Sequence, residues 1–122
     1  MKNAVLEKSE NFAFRMIELY KFLSEKKEFI LSRQILRCGT SVGANISEAE
    51  LSISKKEFIA KMQISLKECA ETSYWLKLLN KGQYINAKEF ESLNRDCMEI
   101  RNILTAIVKT SKRSVTKKSY RS

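Results

Sequence analysis

The sequence predicts an all-α protein, an antiparallel up-and-down bundle of four helices, and three observations carry that expectation. Proline is absent and glycine occurs only three times in 122 residues, so the turn chemistry on which sandwiches and α/β folds depend is missing. Apolar residues recur in long three-four rhythms, each marking one buried face of a helix. The links between these runs are about two to five residues, which forces antiparallel neighbours, and three-four seams favour crossings near roughly 20°. A composition of 43% hydrophobic and 30% charged residues suits one globular core, placed at residues 1–108, with a basic tail over 109–122.

The first helix is expected from about Ala4 to Ser24, with Phe12, Met16, Leu19 and Leu23 on its core stripe and Ala13, Ile17 and Tyr20 widening it. The second begins near Glu28, carries Leu31, Ile35, Cys38, Val42, Ile46 and Ala49 on one side, and ends around Glu50 to Leu51. Ser54 opens the third as an N-cap, and Glu57 is placed to reach back to its backbone N–H in a capping box. Ile59, Met62, Leu66, Cys69, Ser73 and Leu76 follow, and Gly82 supplies the stop. Asn86 and Glu89 repeat the capping box for the fourth helix, whose seam runs Phe90, Leu93, Cys97, Ile100, Leu104, Ile107 and closes at Val108.

The second helix breaks the propensity rule in its middle. Gly39 and Gly43 each cost on the order of 1 kcal/mol relative to Ala in a helix interior, and Thr40, Ser41 and Asn45 are mediocre formers. Close approach of another helix offsets such a cost, so Gly39, Gly43 and Ala44 are candidates for packing within the bundle or between subunits. A pocket needing backbone access is the alternative. An anion-binding glycine loop is disfavoured, because GTSVG lacks the lysine and the strand-to-helix setting of a phosphate loop.

Three runs together carry a resemblance: FRMIELYKFL at Phe14–Leu23, QILRCGTSVGANISEAE at Gln34–Glu50 and KKEFIAKMQISLKECAETSYWLKLL at Lys55–Leu79. They resemble the four-helix-bundle proteins encoded in intervening sequences of bacterial 23S ribosomal RNA genes. The match spans roughly Phe12 to Leu79, and the fourth helix agrees only in pattern. The resemblance implies a cytoplasmic bacterial bundle that assembles as a ring, commonly a pentamer, without recognised catalytic activity. The accessory variability proteins of diversity-generating retroelements, basic pentamers that bind a reverse transcriptase and nucleic acid, are a more distant likeness.

Enzyme chemistry is poorly supplied. The chain has no histidine, so triads of the Ser-His-Asp or Cys-His kind cannot form and the commonest metal ligand and proton shuttle is absent. Cys38, Cys69 and Cys97 match no zinc or redox spacing and are expected as small core hydrophobes. Glu68 with Glu71 and Asn45 with Glu48 are each three apart on one helix, so together with Lys61 they are expected to form a buried polar network. A di-iron centre would require Glu-x-x-His pairs. Neither a metal nor a cofactor is expected, and the protein is read as a non-enzyme.

Charge points outward. Of the net +9, residues 1–108 contribute +3 and residues 109–122 contribute +6, with every acid before Thr110. Lys109, Lys112, Arg113, Lys117, Lys118 and Arg121 form a basic, Ser/Thr-rich end that suits a nucleic-acid arm, with Tyr120 available for stacking. A merely solubilising terminus or a contact for an acidic protein is the other reading. On the bundle, Arg33 and Arg37 share a helix face, and Lys55 and Lys56 sit at the start of the third helix. A ring of five copies would multiply the +9 of one chain into a field that concentrates polyanions. Trp75, with Tyr74 and Leu78, lies off the main seam and suits a subunit interface. The expected partners are thus copies of the chain and RNA or DNA, with an oligomeric protein scaffold as the alternative. Charges throughout MKNAVLEKSENF speak against a signal or transit segment, and no apolar run approaches bilayer length, so a cytoplasmic protein without membrane contact is expected.

Overall fold

The computed structural model describes residues 3–121, with side chains through residue 115. Its four helices are α1 (Ala4–Glu25), α2 (Leu31–Ala49), α3 (Lys55–Lys81) and α4 (Ala87–Arg121). Each packs against its neighbours in chain order, and α1 closes the bundle on α4.

The helix ends show which local signals operate. Asn3 caps α1, its side-chain oxygen accepting from Val5 N at 3.1 Å and Leu6 N at 3.3 Å. Glu28, expected inside α2, lies ahead of it and accepts from Ser32 N at 2.8 Å and Ile30 N at 3.3 Å, so its carboxylate serves the orphan donors of the first turn. Ser54 accepts from Glu57 N at 3.1 Å as expected, but the Glu57 carboxylate turns to Ile53 N at 3.3 Å rather than to Ser54 N. The box at α4 is fully reciprocal: Glu89 N donates to Asn86 Oδ1 at 2.8 Å, and Asn86 N to Glu89 Oε1 at 2.9 Å. Asn86→Ala should therefore cost about 1 kcal/mol and lower Tm by roughly 4 °C. An unchanged urea midpoint would show that the cap contributes nothing.

Gly82 is not the left-handed stop. It keeps φ −78°, and Gln83 takes φ 66° instead, as Lys27 does at 63° after α1. The glycine is there for room: a Cβ would sit 3.2 Å from Leu78 O and 3.5 Å from the Tyr84 ring.

The core follows the predicted seams, with Phe12, Met16, Leu19 and Leu23 of α1 meeting Ile35, Cys38, Val42 and Ile46 of α2, Met62, Cys69 and Leu76 of α3, and Leu93, Cys97, Ile100 and Leu104 of α4. Ile17, expected to widen the α1 stripe, is 38% exposed. Both α2 glycines face α1: a Cβ at Gly39 would lie 2.3 Å from Met16 Cγ, and one at Gly43 would lie 2.9 Å from Ser9 Oγ. On the other flank Ser65 Oγ of α3 donates to the Val42 carbonyl at 2.8 Å, so α2 is approached closely from both sides. Ala44 takes no part in this packing and is exposed.

The largest departure is at the C-terminus. The apolar seam closes near Val108, yet α4 continues without interruption to Arg121, and Ser111 is still buried. Residues 109–121 are a helical extension of the bundle rather than a coil tail, because nothing in KTSKRSVTKKSYR breaks a helix. No helix among the described residues is long and apolar enough to cross a membrane.

Candidate nucleic-acid interface

The candidate residues fall into three groups. Along the outer edge of α2 and α3, Arg37 is not a free cation. Its guanidinium is held by the Glu71 carboxylate and lies 3.6 Å from Glu68, while Nη2 also donates to Gln34 Oε1 at 3.4 Å. Glu71 in turn accepts from the Trp75 indole N–H at 3.0 Å. Burial pushes the Glu68 carboxyl up, Arg37 opposes this, and Glu71 adds to it. Arg33, one turn earlier, is exposed, so the expected Arg33–Arg37 pair is one surface cation and one residue committed to a clamp.

The expected buried polar network is not formed. Lys61 and Glu48 make a surface ion pair at 3.2 Å, Asn45 donates to Ser41 O of its own helix at 2.9 Å, and Glu68 with Glu71 belongs to the Arg37 clamp. Spacing of three places side chains on one face of a helix, but it does not say that the face points inward. Trp75 packs partly buried against the core, and Tyr74, edge-on to it at 5.1 Å, is the more exposed ring at 54%.

The second group is the basic end of the bundle. Antiparallel packing brings the start of α3 and the far half of α4 to the same end. Lys55 stands 6.0 Å over the Phe58 ring, and Lys56, Lys109, Lys112 and Arg113 are exposed. Lys117 and Arg121 follow Arg113 in four-residue steps along the helix; their side chains, that of Lys118 and the ring of Tyr120 lie outside the described residues.

The third group, apart from Lys56 and Tyr74, was not singled out from the sequence. On α3 the residues Lys56, Ala60, Gln63, Lys67, Ala70, Tyr74, Lys77 and Lys81 recur at four-three spacing, and apart from half-buried Gln63 all are exposed. The signal lies in the polar face, whose rhythm is as regular as the apolar seam behind it.

Between α1 and α4, Lys8 pairs with Glu99 at 2.5 Å and Arg15 with Asp96 at 2.6 Å. The same seam opens into a groove of about 590 Å³ floored by Leu19, Ile85 and Leu93, with Phe14 62% and Phe22 37% exposed at its edge. All three thiols are free and buried. Burial pushes Cys38 up to about 11, and a hydrogen bond between the Cys69 and Cys97 side chains that favours the Cys69 thiol, with burial, raises Cys69. These two are held as thiols at neutral pH, in keeping with a packing role. Among the described residues no three His, Cys, Asp or Glu side chains are grouped to hold a metal ion.

A search of curated proteins gives no match. Among solved structures, a protein of unknown function from the S23 ribosomal protein family of Bacteroides thetaiotaomicron VPI-5482 is 52% identical and superposes with a TM-score of 0.86, over 87% of this chain and 99% of that one. The model of the 23S rRNA-intervening sequence protein family matches residues 1–106. With this match running through all four helices, the chain belongs to the 23S rRNA-intervening sequence protein family.

Proposed function

We propose that this chain is a non-enzymatic, oligomeric protein that holds the phosphate backbone of nucleic acid without reading base sequence. The observation that carries the proposal is the course of α4, whose backbone stays helical to Arg121 while the last fourteen residues supply six basic side chains and no acid. A helical arm keeps its charges in register and loses less conformational entropy on binding than a coil would. Phosphate contacts of this kind supply affinity and position, and carry no sequence information directly.

Assembly of several copies would multiply this charge. Support for it comes from the apolar surface that one copy leaves open, chiefly Phe14 and Phe22 at the α1–α4 groove and Ile64 on α3. A ring, with five copies favoured, is the assembly proposed. The same apolar surface would serve a protein scaffold if nucleic acid were not the ligand.

Filter-binding titrations of the full chain against RNA at about 50 and about 200 mM salt test the proposal, with retention expected to weaken steeply at the higher concentration. No retention at the lower salt would remove the nucleic-acid reading and favour the scaffold. Sedimentation at micromolar concentration should show a species several times the 14.2 kDa of one chain; a monomer alone would end the oligomer proposal.

A further inference from the structure

The charges of α3 are sorted by face. Its three acids are all committed elsewhere: Glu57 accepts from Ile53 N at the helix start, and Glu68 and Glu71 hold Arg37 on the α2 side. Lys61 also turns to α2, where it meets Glu48. Lys56, Lys67, Lys77 and Lys81 remain on the opposite flank, exposed and with no acidic partner among the described residues.

The row follows the outward crest of α3, and Lys77 lies at the edge of it nearest α4. Ser73, which precedes Lys77 by four, donates to Asn94 of α4 at 2.8 Å, and Cys97 of α4 donates to the Cys69 carbonyl at 3.4 Å. Arg101 follows Asn94 by seven and Cys97 by four, so it lies on the α3 side of α4, and Lys109 comes two turns further along. The antiparallel register brings Lys67 level with Arg101 and Lys56 level with the stretch just beyond Lys109. Of the acids of α4, Asp96 and Glu99 point to α1 and Glu89 accepts from Asn86 N at the helix start, which leaves Glu91, exposed near the level of Lys77, as the one acid close to this row.

From this arrangement we infer that the α3–α4 face is a docking surface for the phosphate backbone of a nucleic-acid duplex, held by Lys56, Lys67, Lys77 and Lys81 with Arg101 and Lys109 beside them. The inference rests on the proposed nucleic-acid role and gives it a surface and a ligand form that the C-terminal arm alone does not supply. From Lys56 to Lys81 the row is straight and ~37 Å long at the rise of an α-helix. The α4 cations lie on the neighbouring helix, whose axis packs about 8–10 Å from that of α3. Ala60 and Ala70 keep the row low between its lysines, so a rigid cylinder can lie along it. Proteins that take single strands offer successive aromatic platforms for unstacked bases, whereas this row offers Tyr74 alone. A duplex presents one charge per roughly 1.7 Å of its axis, so fixed lysines meet phosphates at any register and need no particular sequence.

The test uses the full chain with duplex RNA, duplex DNA and single-stranded RNA, each about 20 nucleotides long so that it exceeds the row. Duplexes should bind more tightly than the single strand, and the RNA and DNA arms show which duplex geometry fits better. The variant Lys56→Gln/Lys67→Gln/Lys77→Gln/Lys81→Gln should lower the slope of log affinity against log salt for duplex by about 3 to 4, at roughly 0.9 per lost contact. A control, Lys21→Gln/Lys26→Gln/Lys27→Gln/Lys88→Gln, removes the same charge from other surfaces and should leave most of that slope. Far-ultraviolet circular dichroism of both variants should match the parent chain. Equal slopes for the two variants, or tighter binding of the single strand, would overturn the inference. Failure of the parent chain to bind any nucleic acid would instead overturn the proposed function on which it rests.

Discussion

Replacing Gly43 by Leu should destabilise the bundle by a few kcal/mol, although the same change improves intrinsic helix propensity by about 1 kcal/mol. The first atom of the new side chain would arrive 2.9 Å from Ser9 Oγ and 3.3 Å from Ser9 Cβ, with the Ser9 backbone oxygen at 3.5 Å. Ser9 cannot move aside cheaply, since its hydroxyl donates to Leu6 O at 2.7 Å and its residue is fully buried. Gly39 is tighter but softer, because the atoms in the way belong to Met16, with Cγ at 2.3 Å and Sδ at 2.8 Å. A long unbranched side chain can change rotamer if the surrounding core yields. Combining Gly39→Leu with Met16→Ala should therefore cost clearly less than the sum of the two single changes, and Gly43→Leu should show no such relief. Urea midpoints of the parent chain, the three single variants and the two double variants with Met16→Ala measure this; a raised midpoint in Gly43→Leu would place that residue in open solvent and refute the packing.

The same contrast explains how much of the molecule was legible in its sequence. The seams of α2, α3 and α4 could be read because burial leaves an apolar period that no other requirement imitates. The Asn86–Glu89 cap was readable for a related reason, since both of its hydrogen bonds are local. What failed depended on a third residue or on the sense of a face. Glu57 chose Ile53 over Ser54, and the left-handed turn fell on Gln83 rather than on Gly82. Glu68, Glu71, Glu48 and Lys61 were grouped as one network and assigned to the interior, because a carboxylate spacing looks the same whether its helix face is wet or dry. Arg37 was read as a surface cation for lack of any signal that α3 would bring Glu68 and Glu71 to it. The lysine row of α3 had a signal and was passed over, since its four-three rhythm lies in polar residues. Reading only the apolar rhythm also misplaced the end of α4: an apolar seam records where a helix touches its neighbours, and a helix without Gly or Pro runs on beyond that point.

Because α4 runs on, its basic end should contribute a large share of the salt dependence of nucleic-acid binding. Each phosphate contact contributes roughly −0.7 to −0.9 to the slope of log affinity against log salt, so six contacts would give about −4 to −5. Between about 50 and 200 mM salt that amounts to a loss of roughly 10³ in affinity. Changing Lys109, Lys112, Arg113, Lys117, Lys118 and Arg121 to Gln should abolish most of that slope for RNA and DNA alike, because backbone contacts do not distinguish sequence. Substitution is the better probe than truncation at residue 109, which would also remove the buried Ser111 and so confuse binding with folding. Gln preserves helix propensity, leaving the unfolding midpoint close to that of the parent chain. Arg33→Gln with Arg37→Gln provides the comparison: Arg33 can lose at most one contact, while Arg37 already spends its charge on Glu68 and Glu71. That double variant should therefore change the slope by no more than about 1, and its main effect should be on stability, through the carboxylates left unpaired at the α2–α3 edge. A slope unchanged by the six α4 substitutions would remove the helical arm, Lys109 included, from the interface and leave the lysine row of α3 with Arg101 to account for whatever binding the parent chain shows.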